Sequence, residues 1–163
     1  MSNPEPSGTP WWHTASLPVL LQIGRRAYGQ RIRAQLADAD MADLPRQGPR
    51  VVSGIDRKGT NVRDVAAELG VSKQAASKLV DALVEQGYVE RVPDPDDRRV
   101  ITIGLTARGK AAAKLVRKAV DSVDAELAKS VGDKGVFALR CGLAVLLRIV
   151  HEDREAGRGD ADD

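Results

Sequence analysis

Residues 61–105 read N-V-R-D-V-A-A-E-L-G-V-S-K-Q-A-A-S-K-L-V-D-A-L-V-E-Q-G-Y-V-E-R-V-P-D-P-D-D-R-R-V-I-T-I-G-L, from Asn61 to Leu105. Val62, Val65, Ala66 and Leu69 recur at helical spacing and mark one buried face. Asn61 is placed to cap this helix, with Asp64 three residues on as its partner in a capping box. Gly70 ends it, because glycine takes the positive φ of a helix stop without cost. Ser72 caps a second helix whose apolar stripe is Ala76, Leu79, Val80, Leu83 and Val84, and Gly87 stops that one. Tyr88 to Val92 reads as a strand. Pro93 to Arg98 is turn chemistry. Arg99 to Leu105 reads as a second strand with Ile101, Ile103 and Leu105 on one face. Two helices joined by a tight glycine-containing turn form a helix-turn-helix. Followed by a hairpin, it is a winged helix.

Two runs carry a family resemblance. They are L-V-D-A-L-V-E-Q-G-Y-V-E-R and D-P-D-D-R-R-V-I-T-I-G-L-T-A-R-G. Together they resemble the MarR family of transcription regulators, densely from Asn61 to Gly109. The D-P-D-D-R-R wing followed by L-T-x-x-G is the most specific part. The resemblance implies a mainly α fold (an α+β winged helix) with long N- and C-terminal dimerisation helices. It also implies a homodimer on double-stranded DNA and a small aromatic or anionic effector bound between the dimer and DNA-binding lobes.

Outward from the winged helix, assigned to residues 43–105, the chain falls into helical flanks. Leu17 to Ala37 reads as a long helix with Leu20, Leu21, Ile23, Gly24, Ala27, Tyr28, Ile32 and Leu36 near the helical period. Between Asp43 and Lys58, Val51, Val52 and Ile55 keep an apolar spacing. Pro45 and Gly48-Pro49 restrict its start, so a short helix is expected from about Pro49 to Arg57. Thr106 caps a further helix with the stripe Ala112, Leu115, Val116, Ala119, Val120, Val123 and Leu127. Gly132 to Gly135 breaks it. Val136, Leu139, Leu143, Leu146, Leu147 and Val150 mark a last helix. Residues 17–42 and 106–151 thus form a helical region with more apolar surface than one small core uses, as a dimerisation region has. Residues 1–16 read as a flexible arm and 152–163 as a disordered tail, both polar and poor in core formers. Trp11, Trp12 and His13 interrupt that arm. The favoured reading is a cap over an apolar groove of the dimer. The sharper one is a lid on a ligand pocket shared with Tyr28.

Apolar residues make up 42% of the 163 and charged residues 29%, the balance of a water-soluble globular chain. No basic-then-apolar leader opens the chain, and the longest apolar run, Leu143 to Leu147, is too short for a bilayer. The single cysteine, Cys141, excludes an internal disulfide and suits a reducing cytoplasm. Its setting in an apolar helix reads as a small buried hydrophobe. The net charge is +2. From Glu152 on, six acids face two arginines, so the remainder is mildly basic. From Arg57 to Arg99 acids and bases balance. A DNA argument must therefore rest on where the charges sit.

Near its start, the Ser72–Gln86 helix carries Lys73, Gln74, Ser77 and Lys78, with Ala75 between them. In helix-turn-helix proteins these amino-terminal positions meet base edges, and a glutamine amide matches an adenine edge. Lysine at a helix amino terminus opposes the macrodipole, a placement that a phosphate relieves. The bland alternative is a solvated face; the wing beside it decides for DNA. At the wing tip a carboxylate would repel phosphate unless paired. Asp97 therefore reads as holding one of Arg98 and Arg99 while an arginine enters the minor groove. Asp94, Asp96 and Asp97 lack the glycine and distal glutamate of a calcium loop, so no metal is expected. Gly104 to Lys110 spells G-x-x-x-x-G-K, but Ala111 stands where a phosphate loop needs a hydroxyl for magnesium. With only His13 and His151 as histidine bases and no nucleophile set, no enzyme and no cofactor are expected. The reading is a cytoplasmic, ligand-responsive repressor binding a palindromic operator as a homodimer, with no membrane partner. Its rivals are an effector-independent DNA-binding regulator and an NTPase using the Gly104–Lys110 loop.

Overall fold

The computed structural model describes residues 10–58, 60–93 and 101–159. A single 3-10 turn, Trp11–His13, leads into α1 (Leu17–Ala37). Then follow α2 (Gly48–Lys58), α3 (Val62–Leu69), α4 (Lys73–Glu85), β1 (Val89–Pro93), β2 (Ile101–Leu105) and α5 (Ala107–Gly159). β1 and β2 pair antiparallel, with Val89 opposite Leu105 and Pro93 opposite Ile101. Thr60, just before α3, adds a bridge to Ile103, whose amide donates to the Thr60 carbonyl at 2.8 Å. The architecture is mainly helical with one small two-stranded sheet, a winged helix.

Local chemistry sets these bounds. Asn61 Oδ1 accepts from the amides of Arg63 and Asp64, and Asp64 Oδ2 accepts from the Asn61 amide, so the capping box closes. Gly70 ends α3 at φ 67°, a left-handed turn that glycine takes without a Cβ penalty. Ser72 Oγ accepts from the Ala75 amide at the start of α4. α2 starts one residue before the expected Pro49, which sits in its first turn where the missing N–H costs nothing.

Two units are delimited, residues 1–120 and 121–163. The core of the first is aliphatic around one aromatic. Val51, Val52 and Ile55 from α2, Val65 from α3, and Ala76, Val80 and Leu83 from α4 meet Tyr88, Val89, Ile103 and Leu105 of the hairpin. Ala112, Ala113 and Val116 of α5 complete it. Each fully buried Val or Leu contributes about 1.5–3 kcal/mol. Arg50 Nη2 donates to the Glu68 carbonyl at 2.6 Å, a cation at the C-terminal end of α3. Within the winged helix, Val84 and Ile101 depart from expectation and are exposed.

The second unit is the remainder of α5. Gly132, at φ 71° and ψ 166°, is non-helical and divides it. The expected break therefore falls on Gly132, while Gly135 stays helical. Phe137, Leu139, Leu143, Leu147 and Ile149 are all exposed. Cys141, expected buried, is exposed on the same segment. The helix continues through residues 152–159, where the composition predicts a disordered tail. Glu, Arg and Ala there are good helix formers, and that local preference outweighs the polar composition. Residues 160–163 lie outside the described residues. Among the described residues no helix is long and apolar enough to cross a membrane.

Candidate nucleic-acid interface

α4 buries Ala76, Val80 and Leu83 and so turns the opposite side outward. Ser72, Lys73, Gln74, Ala75 and Lys78 are exposed there, and Ser77 is half-buried. The side chains of Lys73, Gln74, Ser77 and Lys78 make no hydrogen bond or ion pair among the described residues. The Ser72 oxygen is occupied as a cap acceptor, but its hydroxyl hydrogen is still available to donate. The first turn of α4 carries no acidic residue. Its amide ends and Lys73 therefore add to one positive pole, suited to an anion. The six residues singled out from sequence on this helix thus share one outward surface.

At the far end of α4 the side chains interlock. Arg91 Nη2 on β1 reaches back to Asp81 Oδ1 on α4 at 2.5 Å and ties the wing to the helix. Beyond Gln86, the turn is fastened to the start of α5. Thr106 Oγ1 donates to the Gly87 carbonyl at 2.6 Å, and the Thr106 amide to the Tyr88 carbonyl at 3.2 Å. Arg108 Nη1 donates to the Gln86 carbonyl at 2.5 Å, and its Nη2 to Asp43 Oδ1 at 2.9 Å. The same Asp43 oxygen accepts the Tyr88 hydroxyl at 2.7 Å, and the Arg108 guanidinium lies 4.3 Å from the centre of the Tyr88 ring. None of this is visible in the sequence, because Asp43 lies 45 positions from Tyr88 and 65 from Arg108.

This cluster shifts two protonation equilibria. The hydrogen bond from Tyr88, followed by Arg108, holds the Asp43 carboxyl below its ordinary value. Burial, then the hydrogen bond to Asp43, pushes the Tyr88 phenol up to about 12. A phenol whose folded value is raised contributes stability below its unfolded value, and that stability is lost as pH rises through the folded one. The window runs from the ordinary phenol value of 10.0 to about 12. Part of that shift comes from Asp43, an exposed carboxylate that solvent screens, so the hydrogen bond's share is the smaller one. Denaturant titrations at about pH 9 and about pH 11.5, on either side of the ordinary phenol value, are expected to show a larger loss for the parent than for Tyr88→Phe. Equal losses would remove Tyr88 from the pH response.

The Gly104–Lys110 stretch is a strand end running into a helix cap. Its amides are used internally: Gly109 donates to Thr106 Oγ1 at 3.0 Å and Lys110 to the Thr106 carbonyl at 2.9 Å. That geometry takes the amides a phosphate loop would offer. Asp97, Arg98 and Arg99 of the wing lie outside the described residues. Trp11 and Trp12 pack edge to face with ring centres 6.2 Å apart, and both are exposed, as is His13; Tyr28 is half-buried on α1. A recess between α2 and α3, lined by Val51, Ile55, Thr60, Val65, Glu68 and Leu69, holds about 10 Å³. That is room for one water molecule at most.

Residues 42–100 match the family model described as MarR family. The multiple antibiotic resistance protein MarR of Escherichia coli (strain K12) is 42% identical over 43 residues, 26% of this chain and 30% of that protein. The aligned segment thus spans under a third of that relative. The crystal structure of the reduced form of E. coli MarR superposes with a TM-score of 0.62 at 25% identity, covering 82% of this chain and 97% of that one. Streptococcus pneumoniae FabT, solved in complex with DNA, is similar in fold, with a TM-score of 0.70 at 19% identity over 83% of this chain and 94% of that one. A mutant E. coli MarR complexed with operator DNA gives 0.64 at 23% identity over 86% and 99%. Residues 42–100 thus match the MarR family, and the winged helix they build has the fold of the MarR structures.

Proposed function

We propose that the chain is a sequence-specific DNA-binding regulator of transcription that acts as a homodimer on a palindromic operator. One observation carries the reading: Lys73, Gln74, Ser77 and Lys78 stand outward and unengaged on the amino-terminal half of the second helix of a helix-turn-helix. Helices so placed lie in the major groove with those residues at base edges. Gln74 is the base reader, Lys73 and Lys78 meet phosphates, and the Ala75 methyl is available to a thymine methyl. In the wing, Asp97 positions one arginine while Arg98 or Arg99 enters the minor groove. Similar proteins solved with DNA support the reading. The finer proposal is a repressor released by a small aromatic or anionic effector. Trp11, Trp12, His13 and Tyr28 are its proposed pocket, since the exposed rings of Trp11 and Trp12 are suited to stacking on such a molecule.

Selection of duplexes from a random pool by the purified protein tests this. The enriched sequence should contain two inverted half-sites about one helical turn apart. Gln74→Ala should then weaken the selected duplex by about 1–3 kcal/mol and relax preference at one position per half-site. Lys78→Ala should weaken all duplexes about equally and reduce the salt slope by about one unit for each phosphate the lysine neutralises. A pool that stays random after repeated rounds would sink the proposal. Equal affinity of Gln74→Ala and parent for selected and scrambled duplexes would remove Gln74 from base reading.

A further inference from the structure

The recognition residues occupy one end of α4, and the Asp43–Tyr88–Arg108 cluster occupies the other. From Gln74 to Gln86 the helix spans about twelve residues, a lever of about 18 Å. A tilt of about 6° at the Gln86 end would displace Gln74 by about 2 Å, given that helix length. A side-chain amide hydrogen bond does not survive such a shift, since its useful range is about 2.7–3.2 Å. A lysine on a flexible four-carbon stem follows a phosphate through the same displacement. The angle of α4 therefore decides base reading far more than it decides backbone attraction.

Three features fix that angle. Arg108 Nη1 and Thr106 Oγ1 hold the Gln86 and Gly87 carbonyls at the end of α4. Arg108 lies over the Tyr88 ring, and Tyr88 is fully buried in the core. Asp43, from the segment between α1 and α2, accepts from both. The Arg108–Asp43 pair is partly exposed on both sides, and such pairs contribute little to stability, about 0–1 kcal/mol. Its distinguishing property is geometric: a planar guanidinium engages a helix end, a ring face and a carboxylate at once, which a lysine cannot reproduce.

We propose that Arg108, Tyr88 and Asp43 are positioning residues for sequence recognition, setting the tilt of α4 against the first turn of α5 from the end opposite Gln74. The inference rests on the proposal that α4 reads DNA. It assigns specificity to residues outside the reading surface.

The test uses the full chain, a duplex enriched by the parent from a random pool, and a scrambled duplex of equal composition. Binding is followed by fluorescence anisotropy at one salt concentration, with thermal melting in parallel. Arg108→Lys keeps the charge, and Tyr88→Phe keeps the ring and removes only the hydroxyl. Each is expected to weaken the selected duplex about tenfold while the scrambled duplex changes less than about twofold, as phosphate-dominated binding should. Asp43→Asn combined with Tyr88→Phe should be no worse than Asp43→Asn alone, because the carboxylate already carries the bond that the hydroxyl makes. A purely structural role would lower the active fraction and weaken both duplexes by one factor. That result, or unchanged binding to both, overturns the inference. If Arg108→Lys does not fold, Tyr88→Phe decides alone. A parent that enriches no sequence refutes the DNA reading itself. Enrichment by the parent with an unchanged selected-to-scrambled ratio in the variants refutes only this assignment.

Discussion

Gly109→Ala is expected to destabilise the protein by roughly 3 kcal/mol, although the same change in most helices is stabilising. Alanine gains about 1 kcal/mol over glycine in a helix interior. Gly109 lies in the first turn of α5 and is buried. A Cβ built there would overlap the backbone carbonyl oxygen of Tyr88 and come within 3.1 Å of Leu105 Cδ2. The obstacle is backbone, so no side-chain rotation relieves it. α5 would have to retreat from the Gly87–Tyr88 turn. The retreat would loosen the Thr106 hydrogen bonds to Gly87 and Tyr88, each worth about 1 kcal/mol. It would also open space around Ala112 and Ala113, both buried, with a further cavity cost. These losses together outweigh the propensity gain about fourfold. At this chain length about 3 kcal/mol corresponds to a melting shift of roughly 6–12 °C. Melting at one fixed protein concentration measures it. An unchanged or higher midpoint for Gly109→Ala would mean that α5 does not approach the turn this closely.

The features legible in the sequence are those governed by neighbours along the chain. The Asn61–Asp64 capping box, the Gly70 stop, the Ser72 cap and the Thr106 cap each depend on residues a few positions apart, and each is present in the structure. α1 runs over Leu17–Ala37 as its pattern predicts. The outward set on α4 is legible because Ala76, Val80 and Leu83 define the inward face, and the remaining positions follow from the helical period. Gly109 stands out in the sequence only as part of a family pattern. Its cause, the approach of α5 to the carbonyl of Tyr88, belongs to tertiary structure. The Asp43–Tyr88–Arg108 cluster is hidden for the same reason. Its members are far apart along the chain, and nothing local pairs them.

Periodicity also reports that a face is apolar without reporting what covers it. The pattern places Ile101, Val84 and Cys141 inward, and all three are exposed in the single chain. α1 shows this most fully: Leu17, Val19, Leu21 and Ile23 are exposed, and only Leu36 of that helix is buried. A stripe at helical spacing that one chain leaves in water is a stripe for a second chain, or a liability.

Substituting Leu143→Glu and Leu147→Glu together is expected to convert a dimer into monomers. The parent should sediment at twice the 17.5 kDa chain mass and the variant at that mass itself. Leu143 and Leu147 stand one turn apart on α5, beyond Gly132, among exposed Leu139, Val145, Leu146 and Ile149. Each leucine covered by a partner would contribute about 1.5–3 kcal/mol, and each glutamate there would add several kcal/mol of desolvation cost. With both changes made on each of two copies, a micromolar or tighter dimer does not survive, since micromolar affinity is only about 8 kcal/mol. Neither leucine is packed in the winged-helix core, so the helical signal and the melting of residues 1–120 should persist. DNA binding should not. Two recognition helices joined in one dimer act with an effective local concentration near the millimolar range, and separating them should cost about 100-fold or more on the selected duplex. Sedimentation of the parent as a stable monomer at micromolar concentration would remove the dimer altogether. A variant that stays dimeric would place the interface away from this segment, on the exposed face of α1.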